Sequence, residues 1–147
     1  LESLSNGLAA EHITDEELEH LQRLLVIIGG YIKEGNMEKI VETDIEFHDL
    51  MYHAARNQRL VGIISNLRDQ LTRFRTLSMS HPGRLEATLE EHKAIVEAIA
   101  NGDRRSASKA AERHMENSEK TLLQAMEAMK EKRSKAKGMK RKKTVHS

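Results

Sequence analysis

Cysteine and tryptophan are absent from the 147 residues, proline occurs once, and phenylalanine and tyrosine contribute two residues each. Without cysteine there is no disulfide, iron–sulfur cluster, thiolate zinc site or thiol nucleophile to consider. Aromatics at 3% argue against a β-sandwich or barrel, whose strands are built from aromatic and β-branched residues. No apolar run approaches the ~18 residues of a membrane span, and no charged start followed by an apolar stretch marks a signal peptide. What is there, 38% hydrophobic and 32% charged residues, suits a soluble helical domain with a single core. The expected location is cytoplasmic, with no membrane partner.

The formal net charge of +1 conceals a segregation. Residues 130–143 hold nine basic side chains (Lys130, Lys132, Arg133, Lys135, Lys137, Lys140, Arg141, Lys142 and Lys143) and one acid, Glu131. Residues 1–129 hold fifteen basic and twenty-two acidic groups, a body at −7 that is a poor surface for phosphate backbones. Two parts are therefore expected: a helical ligand-binding domain over 1–129 and a basic, flexible tail over 130–147. The charge of that tail would suit DNA or anionic lipid, although such runs are commonly no more than solvated ends. A start at Leu1 rather than Met reads as a fragment or a processed product.

Periodicity gives six helices and no strand. The first covers Glu2 to Glu11, with Leu4, Leu8 and Ala9 or Ala10 on one side. Thr14-Asp15-Glu16-Glu17 is a capping box for a second helix that carries Leu18, Leu21, Leu24 or Leu25, and Ile28 to about Lys33, despite Gly29-Gly30 inside it. The third runs from about Met37 to Ala55 with Ile40, Val41, Ile45, Phe47, Leu50, Met51 and Ala54 on its apolar stripe. Asn57 caps a fourth bearing Leu60, Ile63, Ile64, Leu67, Leu71 and Phe74, ended by Ser80-His81-Pro82-Gly83. The fifth spans Arg84 to Ala100, and the last starts near Arg104 after Asn101-Gly102-Asp103. Short connections predict antiparallel neighbours, hence an all-α bundle.

Three of these helices carry polar groups on their apolar faces. Asp44 and His48 are one turn apart, so ~400° of rotation aims both the same way, on a face shared with Val41, Met51 and Ala55. His92 sits among Leu85, Leu89, Ile95, Val96 and Ile99. His114 follows Ala107, Ala110 and Ala111 and precedes Ser118, Thr121 and Ala125. A lone core histidine is usually just hydrogen-bonded, and an Asp-x3-His pair is commonly an ion pair. Four such groups converging from three helices are better accounted for by a divalent metal, because an isolated buried carboxylate is expensive. Three imidazole nitrogens and one carboxylate suit zinc, nickel or another first-row ion. His12, His20, His53, His81 and His146 lack that convergence and read as solvated. Glu46 and Glu91 neighbour the ligands in sequence but are expected to turn away.

Asp44-Ile45-Glu46-Phe47-His48, Asn57 and Leu60, Glu91-His92 with Ala98-Ile99 and Asp103, then Ala110 and His114 together resemble the FCD domain. That is the helical effector-binding domain of FadR-type GntR transcriptional regulators. The resemblance covers about residues 1 to 126; each motif is weakly specific, but their order and spacing together make a strong match. It implies a metal held by Asp44, His48, His92 and His114, with a small carboxylate metabolite bound beside it. It also implies a homodimer, and an N-terminal winged-helix domain that binds operator DNA and is absent from this chain. The basic tail is not a feature of the family. Asn117, three residues after His114, and Arg73, preferred over Arg68 and Arg75, are candidate contacts for the metabolite. Two other readings compete with this non-enzymatic sensor: a metalloenzyme using the same four ligands, and a structural or adaptor bundle stapled by its metal.

Overall fold

Polar residues at the breaks set the helix ends in the computed structural model, which describes residues 2–145 and the side chains of 2–142. The elements are α1 (Glu2–His12), α2 (Asp15–Glu34), α3 (Met37–Ala54), α4 (Gln58–Met79), α5 (Arg84–Ala100) and α6 (Arg104–Val145), with no strand among the described residues. Thr14 Oγ1 accepts from the Glu17 amide at 3.2 Å while Glu17 Oε1 accepts from the Thr14 amide at 3.1 Å, closing the capping box. Gly35, at φ 68°, ends α2 in the left-handed conformation that glycine adopts without steric cost. The side chains of Asn36 and Asn57 accept from amides at the starts of α3 and α4. Asp103 does the same for Ser106 at the start of α6. The expectation for His146 lies outside the described residues.

The core gathers Leu21, Leu24 and Leu25 of α2, Phe47 and Met51 of α3, and Ile95, Val96 and Ile99 of α5 with small residues of α1 and α6. α6 lies along α1 and α5, and α2 along α3 and α5. The approach of α1 to α6 depends on small side chains. A Cβ on Gly7 would come within 2.4 Å of Ser108 Oγ, and Ser3 and Ser108 exchange hydrogen bonds with each other's carbonyls at 3.0 and 3.3 Å.

Two expectations need correcting. In α1 it is the polar side that faces inward: Glu2, Ser5 and Asn6 are buried with Ala9 and Ala10, while Leu4 is exposed. Along α4 the apolar stripe is wider than the arc that the bundle covers. Leu60 and Ile64 are buried, but Ile63, Leu67 and Phe74 are exposed. The basic stretch is helical through Val145, as its lysines and arginines, with Glu131, Ala136 and Met139 and no proline, favour. Ala125 is the last buried residue of α6, and every described side chain after it is exposed.

Leu21 is 0% and Val26 78% exposed on the same helix. Leu21→Ala should cost about 2–5 kcal/mol in urea unfolding, because a cavity remains where the side chain packed. Val26→Ala should stay within about 0.5 kcal/mol.

Candidate metal centre

The predicted quartet comes together. Asp44, His48, His92 and His114 are between 1% and 5% exposed, and they reach one interior from α3, α5 and α6. The carboxylate Oδ1 of Asp44 lies 3.6 Å from His48 Nε2 and 3.9 Å from His92 Nδ1, and His92 Nε2 lies 3.3 Å from His114 Nε2. One nitrogen from each of the three histidines falls within 4.8 Å of the others. Phe47 stacks on His92 with ring centroids 4.4 Å apart, which fixes the plane of that imidazole.

Protonation states follow from burial and neighbours. Burial pushes the Asp44 carboxyl up, but His48 and His92 attract its anion more strongly and hold it well below the ordinary carboxylate range. Burial lowers His92 well below its ordinary value, helped by His114 and opposed by Asp44. Burial also lowers His114, against the pull of its bond to Glu91. Metal coordination requires the neutral form of an imidazole, and burial favours that form at His92 and His114.

Three residues outside the predicted quartet border the site. Glu91, expected to turn away, instead takes His114 Nδ1 at 2.8 Å on its Oε1, which leaves His114 Nε2 pointing at His92. Arg84 grips the same carboxylate with both terminal nitrogens, at 2.6 and 2.8 Å, and also reaches Ser118 Oγ at 2.9 Å. A carboxylate behind a histidine, held in turn by a second group, is the arrangement that orients metal-binding imidazoles. The third is Glu2, buried beside His48 with its carboxylate oxygen 3.9 Å from Nδ1. Arg75 pairs with Glu2, and the Tyr52 hydroxyl donates to it. Burial raises the Glu2 carboxyl, but His48 and Arg75 attract its anion and leave it lowered. Arg84 lies one helical row from Glu91 and His92 through Thr88, a signal that periodicity offered; nothing in the sequence near Glu2 pointed to a site in α3.

Asn117 donates to Glu91 Oε2 at 3.1 Å, so in this conformation it belongs to the brace behind His114. Arg73 is exposed and lines none of the three cavities described, whereas Arg75, two residues on, faces the cluster. His12 and His53 are exposed as expected, but His20 and His81 are half-buried, His20 lying 3.3 Å from Glu46.

The residues present fit a metal by a test independent of their identity. Both ring nitrogens of His48 are buried without a hydrogen-bond partner, a costly state that coordination would relieve. Thr88 Oγ1 is orphaned in the same way. Both residues border a pocket of only about 10 Å³, together with Asp44, Arg75 and His114. That is room for an ion or a water rather than a metabolite. Arg75, Ser78, His114 and Ser118 also line a second cavity of about 580 Å³, bounded by Leu67, Leu71 and Phe74 of α4 and Met115 and Leu122 of α6. The large cavity and the small one therefore share these four residues as walls.

Comparison with known proteins gives consistent neighbours. A family model described as the FCD domain matches residues 1–117. The chain is 25% identical over 132 residues to the HTH-type transcriptional regulator YdhC of Bacillus subtilis, covering 89% of this chain and 59% of that protein. It is 26% identical over 116 residues to the HTH-type transcriptional repressor RspR of Escherichia coli, covering 79% and 51%. The chain thus spans little more than half the length of these relatives. Among solved structures, E. coli McbR/YncC aligns with a TM-score of 0.74 at 22% identity, covering 84% of this chain and 62% of that one. The metal-free FCD domain of TM0439 aligns at 0.66 and 21% identity, covering 86% and 84%. Both show the same fold.

Glu91 carries the clearest pH signature. Burial raises its carboxyl, but hydrogen bonds from His114, Arg84 and Asn117 bring it down from 4.5 to about 2. A carboxylate depressed in the folded state stabilises fully above its unfolded pKa and loses that contribution as pH falls through the folded one. The stability due to Glu91 should therefore be complete above pH ~4.5 and fade towards pH ~2. Acid titration monitored by circular dichroism should show that part of the transition removed in Glu91→Gln.

Proposed function

The chain belongs to the FCD domain family, and from that membership we propose that it is the effector-sensing part of a GntR/FadR-type transcriptional regulator. On this reading Asp44, His48, His92 and His114 hold a divalent transition metal, zinc or nickel. A small carboxylate metabolite binds beside it, and its occupancy alters how a winged-helix domain of the same regulator engages operator DNA. The observation that carries the reading is the convergence of three buried imidazoles, with Asp44 beside His48 and His92 and no hydrogen bond at either nitrogen of His48.

The metal, when bound, supplies a Lewis-acidic anchor for a carboxylate oxygen. The chain's own residues do the rest. Glu91 and Arg84 hold His114 in one tautomer and orientation. Ser78, Ser118 and Arg75 line both cavities and offer donors to an anion bound in the larger one. Arg75 takes the role first given to Arg73, because only the former lines these cavities. The metabolite would touch α1, α4 and α6 together, so its differential affinity for two packings of these helices can bias one over the other. Homodimerisation of the regulator is part of the proposal.

Metal analysis of the purified chain should find one equivalent of zinc or nickel, and His92→Ala should lose it. Calorimetric titration of the metal-loaded chain with a panel of small organic acids should give saturable binding that the chelated chain lacks. Metal binding with a rise in melting temperature but no response to any acid would leave only a structural staple. Turnover of a substrate that disappears in His92→Ala would support the enzyme instead.

A further inference from the structure

The last part of α6 is unlike the rest of the molecule in charge, exposure and setting. Residues 130–142 contain eight basic side chains and one acid, lie beyond the matched family region, and are helical and exposed throughout. At ~1.5 Å per residue they form a rod about 20 Å long. Its net charge of +7 is one positive charge per ~2.8 Å, against one negative charge per ~1.7 Å along duplex DNA.

The distribution of those charges distinguishes among anionic partners. With ~100° per residue, Lys130, Lys132, Arg133, Lys135, Lys137, Arg141 and Lys142 encircle the helix and leave no arc wider than about 100° without a basic group. Glu131, Ser134 and Gly138 occupy that arc. Ala136 and Met139 are the two apolar residues of the segment, and it has no aromatic. A helix lying on a membrane needs an apolar face to bury, and this one has none. A flat anionic surface would meet only half of its charges. The major groove of DNA, about 12 Å wide, admits a helix of ~10–12 Å diameter and presents phosphates on both walls.

The body, at −7, would oppose such docking if it lay close. It does not, because the last buried residue of α6 is Ala125 and the basic rod begins five residues beyond it. The middle of the rod therefore stands about 16 Å past that point, farther than the ~8 Å Debye length of physiological salt. We propose that residues 130–142 are a DNA-binding arm that lies in the major groove and is held by phosphate contacts, without sequence preference. This reading rests on charge, helicity and exposure alone and is independent of the metal site.

Fluorescence anisotropy of the full chain with a short labelled duplex of mixed sequence tests it. Binding should be measurable at ~50 mM salt and fall about a thousandfold by ~200 mM, the slope of roughly −5 expected when six phosphates are neutralised. The combined variant Lys130→Gln, Lys132→Gln, Arg133→Gln, Lys135→Gln, Lys137→Gln and Arg141→Gln should bind about a hundredfold or more weaker. Its melting temperature and helix content should be unchanged, since these side chains pack on nothing and glutamine is a good helix former. The proposal is overturned by equal affinity of the variant or by absence of binding at ~50 mM salt. Tighter binding to phosphatidylserine vesicles than to the duplex would overturn it equally.

Discussion

An ionised carboxylate held among imidazoles in the interior of a helical bundle is the constraint to which the neighbouring structure answers. Asp44 cannot stay charged there alone, since burial opposes the anion, and His48 and His92 must lie close enough to hold it. His92 in turn needs a fixed plane, provided by Phe47, and a partner for its second nitrogen, found at His114 Nε2. Each step draws another helix into register, until α3, α5 and α6 are tied through one cluster. Such a cluster contributes little to stability by itself and a great deal to specifying a single arrangement.

Around this centre runs a second ring of charge. Glu91 and Arg84 lie behind His114, and Glu2, Tyr52 and Arg75 lie beside His48. Glu91, behind His114, fixes the tautomer of that imidazole and aims its free nitrogen inward. The arginines keep the carboxylates ionised in a setting where burial would otherwise protonate them. Polar residues inside an otherwise apolar bundle thus form a layered set, in which an inner donor group is held by an outer one. The inward polar face of α1 has the same origin: Glu2 is buried because His48 and Arg75 are there to meet it.

Much of the fold was legible because helix ends are written locally. The Thr14 capping box, the left-handed Gly35, the asparagine caps and the Asn101-Gly102-Asp103 break each act through residues close in the chain. The four inward polar groups could be read for a related reason, since three- and four-residue spacing places a side chain on a face whatever packs against it. Which part of a face is covered is a different matter. Ile63, Leu67 and Phe74 fit the apolar period of α4 and remain exposed, because coverage depends on where neighbouring helices lie. Glu91 defeated the reading for the same reason. Its position beside His92 placed it off the α5 core stripe, and only the position of α6 turns that flank into an interior.

What the amino-acid order determined by itself was therefore the local and the periodic: six helices, their caps, the segregation of charge between body and arm, and the quartet Asp44, His48, His92 and His114. Tertiary structure decided the rest. It turned Arg75 rather than Arg73 towards the cluster, brought Glu2 of α1 beside His48, placed Arg84 behind Glu91, and gave a large cavity and a small one shared walls. The physical reason is range. Caps and faces follow from dihedral angles and helical pitch within a few residues, whereas a brace or a cavity exists only once separate helices have docked and each has defined what is inside for the others.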